Sequence, residues 1–234
     1  MKHLIEAENP SGLTRVDYDR VILDSTTDNV IIRSGYSNGH PYVDLGLSVK
    51  WATMNVGATS ETDYGYFFQW GDIVDKSNSD CSWVNYKYGN GAYDELTKYC
   101  TDSSRGTLDN KKTLELKDDA ARAIMGGDWR MPTSLEFQEL IDNTTSEWTQ
   151  VGDVYGRRFT STKEGYQNNS IFIPASGTLS AFSTYVQEAF YCVWSSSLDT
   201  SYPLDALTLN FTSSRVSADS SLSRDEGVVV RGVL

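Results

Sequence analysis

Three features of the sequence predict an α+β fold. Two stretches, 116–125 and 133–142, carry helical spacing. Many short segments carry the two-residue period of a strand. The two helices follow one another with strands on both sides, which is not the strand–helix–strand alternation of βαβ units.

Taken in order, residues 20–24 and 29–33 read as two strands around a polar turn at 25–28. A two-stranded hairpin is marginal alone. Residues 1–38 are therefore expected to be an N-terminal β segment that packs on the main body or makes an oligomer contact. Residues 34–39 read as its hinge. From Tyr42 onward, Val43, Leu45, Leu47, Val49 and Trp51 alternate with more polar positions, which predicts one half-buried strand. Residues 64–71 form an aromatic run, expected to be a strand covered on both faces. Residues 72–109 are polar, with few periodic apolar positions. They read as long loops packed by their own aromatics, Trp83, Tyr86, Tyr88 and Tyr93.

The first helix is expected over 116–125, with Asp118 and Asp119 in its N-terminal turn and Gly126-Gly127 ending it. Thr133 stands three residues before Glu136, the spacing of a capping box, so a second helix starts there. Leu135, Leu140 and Ile141 share one predicted face, and Phe137 is placed to reach back to Met131 or Pro132. Further strands are expected at 154–161, 170–175 and 191–194.

Within the C-terminal forty residues, 206–212 alternate strictly. Leu207, Leu209 and Phe211 are predicted to point inward and Thr208, Asn210 and Thr212 outward. Val216 and Ala218 continue the inward row, while Arg215, Ser217 and Asp219 face out. An apolar frame (Trp194, Leu207, Leu209, Phe211, Val216, Val230) thus carries a polar face.

Thirty-two acidic against twenty basic residues give a net charge of −12, which argues against nucleic acid or an anionic membrane surface as partner. No apolar run is long enough to cross a membrane as a helix. Residues 1–20 hold Glu6, Glu8, Asp17 and Asp19 and no apolar core, so they do not read as a signal peptide. Cys81, Cys100 and Cys192 are too few and too scattered for a disulfide scaffold or a zinc site; reduced buried thiols are expected, with a Cys81–Cys100 bridge the alternative in an oxidising compartment.

The string Trp129-Arg130-Met131-Pro132-Thr133, followed by Glu136-Phe137 and Leu140, resembles the signature of the formylglycine-generating-enzyme-like (sulfatase-modifying-factor) branch of the C-type lectin fold. Matching pieces occur in the same order at 43–52, 118–123, 170–175, 194–197 and 227–233, so the likeness spans residues 39–234. The resemblance implies a C-type lectin-like domain, two helices around short twisted antiparallel sheets, with the 1–38 segment appended. The regular tail with chemically miscellaneous outward residues resembles the variable proteins of diversity-generating retroelements. Those proteins display a hypervariable binding face in phage tails and on bacterial surfaces. By that likeness the ligand contacts are Asp199, Ser201, Leu204, Asp205, Thr208, Asn210, Thr212, Arg215, Ser217, Asp219, Leu222, Asp225 and Glu226. The partner would be a protein or glycan on a bacterial cell surface, the location a phage tail or a bacterial surface, and the assembly a homo-trimer.

The chemistries of the resembled fold are not written into these residues. None of the five prolines has the flanking Glu or Gln and Asn that a lectin-type calcium site needs. Of the cysteine pair that the formylglycine-type oxidase requires, only Cys192 lies in the C-terminal half, in an apolar setting. His3 and His40 are remote in sequence from any candidate nucleophile. A non-enzymatic binding protein without metal or cofactor is the expectation. A cysteine-dependent oxidase of that type and a surface lectin-like module of fixed specificity are the alternatives.

Overall fold

Among the described residues, strand outnumbers helix more than three to one, 37% against 11%. The computed structural model describes residues 21–23, 30–32, 34–181 and 191–234. The α+β, C-type lectin-like class expected from sequence is therefore corrected to a β-rich fold. The sequence reading gave the helices equal weight with the sheets, but they are only six and nine residues long.

The strands are β1 (Val21–Leu23), β2 (Val30–Ile32), β3 (Ser34–Ser37), β4 (His40–Val43), β5 (Trp51–Asn55) and β6 (Phe67–Phe68). Helices α1 (Ala120–Met125) and α2 (Ser134–Asp142) follow. Then come β7 (Thr144–Val151), β8 (Val154–Ser161), β9 (Ser170–Pro174), β10 (Tyr191–Leu198), β11 (Asp205–Phe211), β12 (Val216–Ser223), β13 (Val228–Val229) and β14 (Arg231–Val233). They form a five-stranded sheet in the order β12-β11-β10-β13-β6, a four-stranded sheet β14-β5-β4-β3 and a three-stranded sheet β7-β8-β9. β1 and β2 pair antiparallel with Val21 opposite Ile32.

The apolar run that closes the chain ties two of these sheets together. Val229 pairs with Val193 of β10 on one side and Phe67 of β6 on the other, and two residues later Arg231 pairs with Asn55 of β5. Because side chains alternate along a strand, the five-stranded sheet feeds two cores. Cys192, Trp194, Ala206, Val228 and Val230 enter the first core, together with Trp70, Tyr86, Tyr99 and Trp129. Val193, Leu209, Phe211, Val229 and Val233 enter the second, together with Trp51, Phe137, Leu140 and Phe159.

The corner at 129–136 locks these layers. Trp129 is fully buried and its indole N–H donates to the Ser37 carbonyl at 2.8 Å. Arg130 pairs with Glu136 through both guanidinium nitrogens, at 2.8 and 2.5 Å. Asp119 caps α1 through the Arg122 N–H and with its other oxygen accepts from the Met131 N–H. Thr133 and Glu136 form the expected capping box of α2. The face of that helix differs from expectation. Phe137 and Leu140 are buried, Phe137 sits 5.5 Å from the Trp51 ring, and Leu135 stands 79% exposed.

Three further expectations are corrected, and one strand was not foreseen. Residues 34–37 are not a hinge but the edge strand β3, joined to β4 by Asn38-Gly39, both at positive φ (49° and 79°). That pair is the signature of a type I′ hairpin turn, so a boundary between 38 and 39 falls inside a hairpin. The single strand expected over 42–51 is broken: β4 ends at Val43 and β5 begins at Trp51. Gly46, at φ +73°, passes within contact of the Tyr166 ring, an approach no side chain would allow. The aromatic run at 64–71 yields only two strand residues, with Tyr64 and Tyr66 partly exposed and Phe68 and Trp70 buried. β7 has no counterpart in the sequence reading, because its half-polar pattern lacks a buried row.

Residues 72–109 behave as expected of loops packed by their own rings. Edge-to-face contacts run from Trp83 through Tyr86, Tyr88 and Tyr99 to Trp70, with centroids 5.2–6.0 Å apart. Tyr93 stays 47% exposed. Cys81, Cys100 and Cys192 are free and buried.

Candidate ligand-binding face

The face assigned from sequence is carried by β11, β12 and their flanking turns. Four of its six frame residues, Trp194, Leu209, Phe211 and Val230, are fully buried. Leu207 and Val216, expected to be buried as well, are only partly so, Val216 packing on the second core. Two irregularities shape the hairpin. β10 bulges between Trp194 and Leu198, and the extra residues are stitched down on both sides. The Ser195 carbonyl accepts from the Trp70 indole, the Ser196 N–H donates to the Pro132 carbonyl, and the Ser197 hydroxyl accepts from the Ser134 N–H. β12 bulges between Ser217 and Ser220, and Asp219 lies in that bulge, exposed.

The thirteen assigned residues do not form one patch. Asp199, Ser201, Leu204, Asp205, Leu222, Asp225 and Glu226 gather at the β10–β11 end of the hairpin. Asn210, Thr212, Arg215, Ser217 and Asp219 lie toward the β11–β12 turn. Between Asp205 and Phe211 the strand advances about 20 Å at its usual rise per residue.

Two assignments are corrected outright. Thr208 is 1% exposed, and its hydroxyl donates to the Ser220 carbonyl inside the sheet. Asp225 is 6% exposed, with its carboxylate accepting from the Ser223 hydroxyl. Thr208 fails because both faces of this sheet are covered there, so alternation does not separate core from solvent; Asp225 fails because it sits in the turn after β12, where no alternation applies. Leu204 and Leu222 also pack against the first core.

The first group is acidic. Asp199 closes its turn by accepting from the N–H groups of Ser201 and Tyr202. Burial raises the Asp205 carboxyl above its ordinary range, and Asp199 adds to that. Burial likewise raises Asp225. Glu226 is pushed up to about 7 by burial and by the neighbouring Asp225. Beneath them Arg224 is fully buried, its guanidinium 5.6 Å from the Trp70 and Tyr86 rings and one nitrogen donating to the Tyr99 carbonyl. Tyr202, 68% exposed beside Asp199, belongs to this end and was missed. No periodicity marks a ring in a turn.

The second group is neutral to mixed. The Thr212 hydroxyl accepts from the N–H groups of Ser214 and Arg215, which fixes a tight turn with Ser213, Ser214 and Arg215 exposed. The Ser217 hydroxyl donates to Asp219. The Asn210 amide donates to the Cys192 sulfur at 3.2 Å. Burial pushes that thiol up to about 11, so it is held as a neutral, weakly nucleophilic group.

Among the described residues no group of three or more His, Cys, Asp or Glu side chains is placed to hold a metal ion. No described helix is long and apolar enough to cross a membrane. Comparison with protein-family models, with curated proteins and with solved structures gives no match to this chain.

Proposed function

We propose that the protein is a non-enzymatic ligand-binding protein whose contacts are side chains on the β11–β12 hairpin and its flanking turns. One observation carries this reading. The hairpin's apolar residues are anchored in two cores, while its exposed polar side chains bond only to near neighbours. Ser217 with Asp219, and Asp199 with Ser201 and Tyr202, are such pairs. Side chains of that kind are free to be exchanged without disturbing the frame, as a diversified surface requires. Strands also hold them in fixed positions, which limits the order lost on binding.

In this reading the protein acts like the variable proteins of diversity-generating retroelements that its tail resembles. It recognises a protein or glycan on a bacterial surface from a phage tail or a cell surface, as a homo-trimer through its N-terminal β segment. The buried, neutral Cys192 weighs against thiol chemistry. Sequencing the encoding locus tests the proposal. A near-identical repeat differing at template adenines, beside a reverse transcriptase, is expected. Its absence, together with variants at Asp199, Arg215 and Asp219 that leave binding to bacterial cells unchanged, would overturn it.

A further inference from the structure

A run of aromatic rings crosses from the three-stranded sheet to the five-stranded one, outside the face assigned from sequence. Trp148 of β7 and Tyr155 of β8 are diagonal neighbours on one face, their planes 7° apart and centroids 5.9 Å apart. Trp148 is also 5.5 Å from Tyr191 of β10 at 25°, and Tyr191 is 5.7 Å from the buried Phe211. The first two pairs are stacked at offset spacings, and Tyr191 meets Phe211 tilted at 36°. The ladder is anchored at Phe211 and opens at Tyr155, which is 53% exposed.

Polar groups flank the rings. Gln150 faces Tyr155 across the hairpin and is exposed. Arg157 stands opposite Trp148 and is 94% buried by its 6% exposure. It donates to the Ser146 hydroxyl at 2.8 Å and to the Ser213 carbonyl at 3.3 Å, which clamps the β11–β12 turn against β8. Its Nε has no partner.

We propose that Tyr155, Trp148 and Tyr191 form a carbohydrate-binding subsite, with the outer Tyr155 face taking the C–H face of a pyranose ring and Gln150 meeting its hydroxyl rim. The inference rests on the ligand-binding reading above and names a ligand class for it. The chemistry selects a sugar. Ring faces attract weakly polarised C–H groups. The open end of the run is edged by the exposed Gln150 amide, whereas an amphipathic helical partner would need an apolar groove. The chain's net charge of −12 favours a neutral glycan over an anionic one. Rings already stacked on one another have little rotamer freedom left to lose.

Affinity electrophoresis of the full chain through gels containing xylan, mixed-linkage β-glucan, galactomannan or purified bacterial O-polysaccharide tests this. Retardation by at least one polysaccharide is expected. Tyr155→Ala should weaken it at least about tenfold, and Tyr155→Phe should keep it within about twofold, because the ring and not the hydroxyl makes the contact. Tyr93→Ala, which removes an exposed ring outside both the hairpin face and this subsite, should leave it unchanged. No retardation on any gel, or retardation indifferent to Tyr155→Ala, overturns the subsite. If bacterial cells are still bound in that event, and the binding responds to Arg215→Ala or Asp219→Ala, the hairpin reading stands without it. If cells are not bound either, both fall.

Discussion

The corner at 129–136 and the β11–β12 hairpin use hydrogen bonds in opposite ways. At the corner the N–H groups that join the layers reach partners distant in sequence, beside the local Arg130–Glu136 and Thr133–Glu136 bonds. The Trp129 indole meets Ser37, the Met131 N–H meets Asp119, and the Ser196 N–H meets the Pro132 carbonyl. On the hairpin the exposed side chains bond across two or three residues at most, while backbone pairing and buried rings supply the rigidity. The difference teaches that one chain can hold a fixed scaffold and an interchangeable surface side by side. Distant bonds specify the first. Local bonds leave the second free to change.

The strongest way to break this comparison is to remove the frame of the hairpin. Phe211→Ala or Trp194→Ala should cost about 3–5 kcal/mol in urea unfolding, the usual loss for a buried ring. A loss near zero would mean the hairpin is not anchored as described. Next comes the corner. Asp119→Ala removes the cap of α1 and the acceptor of the Met131 N–H together, so about 1–3 kcal/mol should be lost.

Acidity sharpens the contrast further. Glu226, raised from 4.5 to about 7, binds its proton more tightly folded than unfolded. Its burial therefore costs nothing below the unfolded value, and the destabilisation grows as pH rises from about 4.5 to about 7. Asp205 and Asp225, also raised, act in the same direction. Asp118 acts oppositely. Donors from Lys98, Tyr88, Tyr99 and Lys87 outweigh its burial and hold it below its ordinary 3.8. The stability it adds is present above 3.8 and lost as pH falls through its folded value. The melting temperature should thus rise from pH 8 to about 5 and fall again below about 4. Glu226→Gln should flatten the upper limb, and an unchanged limb would refute that assignment.

The smallest effects belong to the exposed positions. Arg215→Ala and Asp219→Ala should each stay within about ±0.5 kcal/mol of the parent in the same unfolding assay. Values above 1 kcal/mol would show them to be structural after all.

Local signals were legible in the sequence. The Thr133–Glu136 capping box, the strands around 154–161 and 170–174 and the aromatic packing of residues 72–109 follow from spacing and residue type alone. Each depends on neighbours within a few positions. The first helix was expected from 116, but 116–118 form a separate 3-10 turn and α1 begins at Ala120, after its Asp119 cap. The Asn38-Gly39 turn was equally local, but it was taken for a hinge because β3 is short and polar and gives no strand pattern.

What only tertiary structure decided is which side of each strand meets water. Alternation correctly placed Leu209 and Phe211 in a core. It placed Thr208 outside, although a second core covers the other face of the same sheet, and it says nothing of Asp225, which is buried in the turn after β12. A period of two distinguishes two faces, but nothing in it says how many layers the chain stacks. Nor does it bring Tyr155, Trp148 and Tyr191 together from three strands in two sheets, because that contact depends on how the sheets are arranged against each other.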